Sequence, residues 1–340
     1  MNKQIYYEDI YDLSMRFKFK EEIKNKKFLI TGGTGLLGSY IINFLNELNN
    51  KYDLNIVIYG LARNKDKVYE LGLSSSCHWV YVSMEELISF DYDVDYIIHT
   101  ASPTQSVFLS NNPVETIESN VFGAINLINI ARKLDSKIIY ISSIEVYGEI
   151  FDDTKLVNEN VYGIVNQLNP RSGYPESKKL IECLLASYGQ EYNLDFNIIR
   201  LTQTFGAGID KNDNRIFAYI AKSIINNNDI VLKTNGQSSK PYIYISDAVN
   251  AIFYIIFNGK SKETYNVAND KTYISVYDMA DTIINEFNPK INLKIEISDE
   301  AKMFAPITKI KLDITKLEKL GFKPKYNLID MYSRLIDYLK

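Results

Sequence analysis

KFLITGGTGLLGS, at residues 27–39, is the stretch that decides the fold. Its first residues form a short apolar run that predicts a buried parallel strand, and a glycine-rich turn follows at once. From Leu36 to Leu45 apolar residues recur at helical spacing. A strand, a glycine turn and a helix in this order are the context that a dinucleotide-binding fingerprint requires.

The three glycines of this turn have separate physical tasks. Gly32 allows a tight reversal, Gly35 allows backbone to approach a pyrophosphate, and Gly38 allows helix and strand to pack closely. The N-terminus of the following helix offers free N–H groups and the positive end of the helix dipole to phosphates. We therefore expect cofactor contacts from Gly32, Thr34, Gly35, Leu36, Leu37 and Gly38.

A second signal lies far downstream, in the sequence YPESK at residues 174–178. Tyr174 and Lys178 are one turn apart on the same face of a predicted helix, 174–192. A tyrosine has a reference pKa of about 10, which is too high for a base at neutral pH, and a nearby ammonium favours the phenolate. Ser143 follows the predicted fifth strand, 137–142, at the sheet edge where doubly wound folds bind ligands.

These motifs resemble those of the extended short-chain dehydrogenase/reductase family, the NAD-dependent epimerases and dehydratases that act on nucleotide sugars. The resemblance covers nearly the whole chain from residue 27. It implies an α/β fold, with a Rossmann doubly wound parallel sheet and a smaller C-terminal α/β substrate lobe. The predicted domains are an N-terminal extension at 1–26, a dinucleotide-binding domain at 27–201 with 240–268 returning to it, and a substrate lobe at 202–239 and 269–340.

The resemblance also implies roles for individual residues. Tyr174 is expected to be the acid–base residue, Lys178 to hold the nicotinamide ribose, and Ser143 to hydrogen-bond the same sugar oxygen. Glu145 is either a base or a structural hydrogen-bond acceptor. Additional cofactor contacts are expected from Ala101, Ser102, Asn120, Ser142 and Lys178. Substrate contacts are expected from Ser102, Ser143, Glu145, Arg171, Gln203 and Lys240, and His99 is interpreted as a packed strand residue rather than a catalyst.

The sequence around Arg63 bears on the choice of cofactor. An NAD-specific Rossmann site usually ends its second strand with an acidic residue for the ribose hydroxyls. This chain has no acid there, and Arg63 stands where a 2′-phosphate would sit. Arg63 is otherwise a solvated loop charge. We therefore favour NADP(H) over NAD(H) as the cofactor.

Two residues beside Ser143 bear on the reaction. Dehydratases of the family carry Thr-Asp-Glu where this chain has Ser143-Ile144-Glu145, and Ile144 cannot donate a proton to a leaving hydroxyl. We therefore predict an NADPH-dependent reductase of a nucleotide-linked 4-keto hexose. The alternatives are a 4-epimerase, a 4,6-dehydratase and a decarboxylase, the last because UDP-glucuronate decarboxylases keep the glutamate and resemble this chain around Arg171. A non-catalytic dinucleotide-binding protein is a remote alternative, since such proteins typically lose the Tyr or the Lys.

Composition excludes several other classes. The 340 residues carry a net charge of −4, which gives no basic footprint for nucleic acid. Two cysteines and two histidines argue against a disulfide framework and against a metal site, and they suit a cytoplasmic protein. The longest apolar run is too short to span a membrane. We expect a nucleotide-sugar substrate and a homodimer. Residues 1–26 are either a short packed helix or a tethered arm.

Overall fold

The computed structural model describes residues 1–297 and 307–340, and its strands begin and end as follows. In chain order they are β1 Lys27–Thr31, β2 Val57–Ala62, β3 His78–Tyr81, β4 Tyr96–His99, β5 Lys137–Ser143, β6 Phe196–Leu201, β7 Gln203–Phe205, β8 Ile230–Leu232, β9 Ser239–Tyr244, β10 Glu263–Val267, β11 Asn269–Ser275 and β12 Leu293–Ile295.

The helices of the described residues surround these strands. They are α1 Lys3–Arg16, α2 Lys20–Ile23, α3 Leu36–Tyr52, α4 Lys65–Glu70, α5 Ser106–Asn111, α6 Pro113–Leu134, α7 Gly173–Glu191, α8 Ile216–Asn226, α9 Ile245–Asn258, α10 Val276–Phe287, α11 Thr315–Glu318 and α12 Leu328–Leu339. Two 3-10 turns, Ile144–Tyr147 and Pro170–Ser172, precede α7.

A seven-stranded parallel sheet forms the centre of the molecule. Its strand order is β10-β6-β5-β4-β1-β2-β3, so the direction of winding reverses between β1 and β4. Alternate residues of a strand point to opposite faces. Phe28 and Ile30 accordingly lie in one core with α3 and α9, while Leu29 lies in a second core with α6 and α7. The predicted Rossmann fold is therefore confirmed.

The smaller lobe has its own sheets. The strands β7, β9 and β11 form a three-stranded sheet, and β8 pairs with β12 in parallel. The segment 240–268, which we expected to return to the large domain, contributes strands to two different sheets. The strand β10 completes the large sheet beside β6, whereas β9 pairs with β7 and β11.

The N-terminal segment is a packed helix, which decides between the two alternatives left open by the sequence. The helix α1 buries Ile10 and Leu13 in the main core and contacts α3, α9 and α12. Its buried Asp9 pairs with Arg334 of α12 and accepts a 2.5 Å hydrogen bond from the hydroxyl of Tyr244.

Asp247 lies in the first turn of α9. The helix begins at Ile245, and its N-cap is Tyr244. The Asp247 carboxylate is buried instead, where it pairs with Arg16 at 3.0 Å and accepts hydrogen bonds from the backbone N–H groups of residues 325 and 326. These partners, which are distant in sequence, hold the side chain in place.

Candidate active site

The glycine turn between β1 and α3 is shaped to admit a ligand. Gly32 has φ +64°, and a Cβ atom there would lie 2.9 Å from the Cα of Ala101. A Cβ on Gly38 would collide with the carbonyl oxygen of Gly32. Gly35 is the N-cap of α3 and is exposed, and it has no side chain of its own to cover the first turn. This cradle fits the pyrophosphate of a dinucleotide.

The residues at the end of β4 pack against the glycine turn. The N–H of Ala101 donates to Oγ1 of Thr31 at 3.1 Å, and the same hydroxyl shares a 2.8 Å hydrogen bond with Nδ1 of His99. Burial, followed by the charge of Lys178, lowers the pKa of His99 to about 3. His99 is therefore a neutral packing residue of the strand.

A chain of hydrogen bonds joins the loop after β4 to the helix that carries Tyr174. Ser102 donates to Asn120 on α6 at 2.9 Å, and Asn120 donates to Ser177 on α7 at 3.0 Å. The hydroxyl of Ser177 donates to the carbonyl of Tyr174. Asn120 is thus buried beside the site, and its amide fixes the start of α7.

The structure brings Ser143, Tyr174 and Lys178 together at the carboxyl edge of the sheet. Ser143 is the last residue of β5, and its side chain lies close enough to the Tyr174 hydroxyl to lower the pKa of that phenol. The ammonium of Lys178 donates to the carbonyl of Ile141 on β5 at 2.9 Å. The predicted spacing of one helical turn on α7 therefore places the phenol and the amine against the same strand.

The electrostatics of this trio differ from the sequence expectation. Burial raises the pKa of Tyr174 above its ordinary value, and the charge of Glu145 raises it further. Burial also lowers the pKa of Lys178 to about 7, although the charge of Glu182 opposes this. Loss of hydration thus outweighs the attraction that was expected to favour the phenolate.

Three cations surround Tyr174 and Glu145, and we call Arg171, Arg215 and Lys240 the cation cluster. Arg171 is only 6% exposed, and its Nη2 lies 3.1 and 3.0 Å from the two carboxylate oxygens of Glu145. Its buried Nε has no partner among the described residues. Burial lowers the pKa of Lys240; the charge of Glu145 opposes this shift and that of Arg171 reinforces it. Glu145 thus has an ion-pair partner.

Gln203 begins β7, in the sheet that also carries Lys240. Its buried Oε1 has no hydrogen-bond partner among the described residues, which leaves an acceptor for a ligand hydroxyl.

Two predicted cofactor residues occupy different surroundings. The hydroxyl of Ser142 donates to Glu182 at 2.6 Å, so its side chain is committed to α7, and a cofactor contact from Ser142 would come from its backbone. Arg63 follows β2 and is exposed, in agreement with its place in the sequence motif.

Sequence reasoning missed Arg215 and Glu182. Arg215 pairs with Asp213 at 2.5 Å, and its charge lowers the pKa of Tyr174; no motif indicated it. Glu182 stands four residues after Lys178 on the predicted helix, and that spacing was a usable signal for a neighbour on the same face.

The model of the NAD dependent epimerase/dehydratase family matches residues 28–268. The chain belongs to this family. Membership confirms the resemblance derived from the glycine turn and the Tyr-Lys pair, and it makes the protein one of a family of NAD-dependent enzymes that act on nucleotide sugars. In the described residues, no helix has the length and apolar character needed to cross a bilayer.

Individual relatives differ in activity. The chain is 28% identical to UDP-glucuronic acid decarboxylase 5 of Arabidopsis thaliana over 313 residues, which cover 89% of this chain and 86% of that one. UDP-glucose 4-epimerase of Thermotoga maritima superposes with a TM-score of 0.77 at 18% identity, and the match covers 92% of this chain and 98% of that one. dTDP-glucose 4,6-dehydratase of Bacillus anthracis, solved with NAD, superposes with a TM-score of 0.74 at 17% identity, and the match covers 92% of this chain and 96% of that one.

Proposed function

We propose that this epimerase/dehydratase family member is an NAD-dependent decarboxylase of a nucleotide-linked hexuronic acid. The observation that carries the proposal is the buried Arg171, which pairs with Glu145 beside Tyr174 and keeps an unpartnered Nε. Lys240 adds a second cation beside Arg171, so the site suits a substrate with a carboxylate besides its diphosphate. The decarboxylase names among the relatives point the same way.

The proposal replaces the NADPH-dependent 4-keto reductase as our main interpretation. A neutral 4-keto sugar offers no carboxylate to Arg171, whose buried Nε has no partner among the described residues. Ile144 still argues against a 4,6-dehydratase, since that position would have to protonate the leaving hydroxyl. We take NAD as the cofactor because the family is NAD-dependent.

The glycine cradle and Lys178 would hold NAD, which supplies hydride removal and return at C4 of the sugar when bound. Tyr174 takes the proton of the C4 hydroxyl and later returns it, and Ser143 hydrogen-bonds the same oxygen. Once C4 is a ketone, the C5 carboxylate is a β-keto acid. Its C5–C6 bond breaks, carbon dioxide leaves, and the electron pair moves towards the C4 oxygen beside Tyr174 before C5 takes up a proton.

The cation cluster orients the reacting carboxylate. Arg171 is held by Glu145 through Nη2, so its remaining N–H groups are free to donate to a carboxylate. Burial of Arg171 limits water around the carboxylate, which favours loss of the charged carboxylate as neutral carbon dioxide. Glu145 has the role of orienting Arg171 in this scheme.

The test is incubation with UDP-glucuronate carrying ¹³C at C6, with and without added NAD. We expect ¹³C-labelled carbon dioxide together with a nucleotide pentose. Conversion of UDP-glucose to its C4 epimer, or stoichiometric oxidation of NADPH by a 4-keto-6-deoxy nucleotide sugar, without any carbon dioxide from the uronate, would overturn the proposal.

A variant of Arg171 tests whether this residue binds the carboxylate of the substrate. Arg171→Gln removes a charge-assisted hydrogen bond worth about 1.5–3 kcal/mol, so KM for the hexuronate should rise roughly 10- to 100-fold. NAD affinity should stay within twofold. Lys211→Gln, which removes an exposed cation, is the matched control and should leave both values unchanged.

A further inference from the structure

Behind the acid–base pair, α7 is attached to the sheet by a buried carboxylate. Glu182 accepts hydrogen bonds from the hydroxyl of Ser142 at 2.6 Å and from Nη2 of Arg200 at 2.7 Å. The side chains of Glu182 and Arg200 are 11% and 10% exposed. We call Ser142, Glu182 and Arg200 the Glu182 clamp.

The clamp is built into the sheet next to Lys178. Ser142 of β5 and Arg200 of β6 are register partners, so both side chains lie on the face that α7 covers. Lys178 stands one helical turn before Glu182, and its ammonium donates to Ile141, the residue that precedes Ser142. The amine and the carboxylate are therefore fixed to neighbouring positions of one strand.

Lys178 lies among groups that offer little compensation for its charge. It is 3% exposed, and burial lowers its pKa to about 7, against which the charge of Glu182 acts. Its ammonium is 4.8 Å from the ring centroid of Tyr140 and 5.7 Å from that of Tyr174. The titratable groups that act on it are Tyr174 and Glu182 on α7, His99 on β4 and Tyr140 on β5, and Arg200 on β6 pairs with Glu182.

We propose that Glu182 is a positioning residue that keeps Lys178 in its charged form inside the buried site, with Ser142 and Arg200 holding the carboxylate in place. A neutral Lys178 would leave the phenolate of Tyr174 without a counter-charge. The inference rests on the role proposed for Tyr174 and Lys178 and is independent of which sugar is the substrate.

The primary test is Glu182→Gln, with the protonation of Lys178 measured directly. Competitive acetylation with acetic anhydride at a series of pH values, followed by peptide mass spectrometry, gives the titration midpoint of this amine without turnover. We expect the midpoint to fall by about one pH unit. The alkaline limb of kcat should move down with it. Glu191→Gln, which removes an exposed carboxylate from the same helix, should leave the midpoint unchanged.

Two further variants distinguish an effect of the Glu182 charge from an effect of misfolding. Glu182→Asp keeps the carboxylate and should restore the parental midpoint. The single variant leaves the guanidinium of Arg200 buried and unpaired, which could unfold the protein. The double variant Glu182→Gln with Arg200→Gln removes that guanidinium as well. The Lys178 midpoint should still be lowered in the double variant.

An unchanged Lys178 midpoint in the folded double variant would overturn the inference. Because acetylation needs no substrate, this result is distinguishable from failure of the decarboxylase proposal. That proposal fails if no carbon dioxide is released by the parental protein.

Discussion

Tyr174 is the residue at which local spacing and tertiary surroundings have opposite effects. The spacing to Lys178 favours the phenolate, whereas burial and Glu145 favour the neutral phenol. The acid–base function therefore depends on the balance of charges around the pair. Glu182 and the cation cluster are part of that balance, and they come from separate parts of the chain: the helix α7, the 3-10 turn Pro170–Ser172, the N-cap of α8 and the strand β9.

Tyr174→Phe tests the acid–base role at this scale. The substitution removes only the hydroxyl and leaves a buried ring, so the fold should be retained. Turnover should fall by at least roughly a hundredfold, because proton transfer at the sugar hydroxyl is lost. Circular dichroism and NAD affinity are the controls, and a rate within a few-fold of the parental enzyme would reject the assignment.

Arg63→Ala tests the original preference for NADP(H). The exposed guanidinium follows β2, where a 2′-phosphate would lie. If NAD is the cofactor and Arg63 is a loop charge, titration of each dinucleotide should give an NAD affinity that changes less than twofold. Tighter binding of NADP than NAD by the parental protein, lost in the variant, would restore the original interpretation.

At the scale of elements, the glycine turn and the helical periodicity predicted the helices α3 and α7 well. The helix after the turn begins at Leu36 as expected, and α7 contains nearly the whole predicted helix. The strand β9 and the start of α9 were harder to predict. Short strands at a lobe boundary can pair with either sheet, and the choice depends on packing partners that are distant in sequence.

Leu13→Ala tests whether α1 is an integral part of the core. Leu13 is fully buried, so its truncation should lower the free energy of unfolding by about 2–5 kcal/mol. Urea denaturation followed by circular dichroism measures the change. Met15→Ala on the same helix removes a side chain that is 54% exposed and should cost less than about 0.5 kcal/mol. Equal effects would indicate that α1 is only loosely attached.

At the scale of the molecule, the expected homodimer stays a prediction. The neighbouring helices α6 and α7 expose apolar side chains, with Val114 66%, Phe122 53% and Leu180 46% exposed. Such a face suits a second copy of the chain. Sedimentation velocity should give a dimer of the parental protein and a monomer of Phe122→Glu. Glu118→Gln, which changes a neighbouring exposed residue without adding charge, should remain dimeric.

The sequence by itself determined the fold class, the glycine turn and the spacing of Tyr174 and Lys178 on one helix. Each of these is encoded locally: a glycine turn needs only neighbouring residues, and a Tyr and a Lys four residues apart share a helix face because of helical geometry. The order of strand, turn and helix then implied the parallel sheet and the edge at which a ligand binds.

Only the tertiary structure decided what surrounds the pair. The contacts between Glu145 and Arg171, between Glu182 and Arg200, and between Asp247 and Arg16 join residues separated by 26, 18 and 231 positions. No local pattern specifies such pairings. Burial, which sets the charge state of Tyr174 and Lys178, exists only once helices and strands have packed, because it is the loss of water around a group that shifts its pKa.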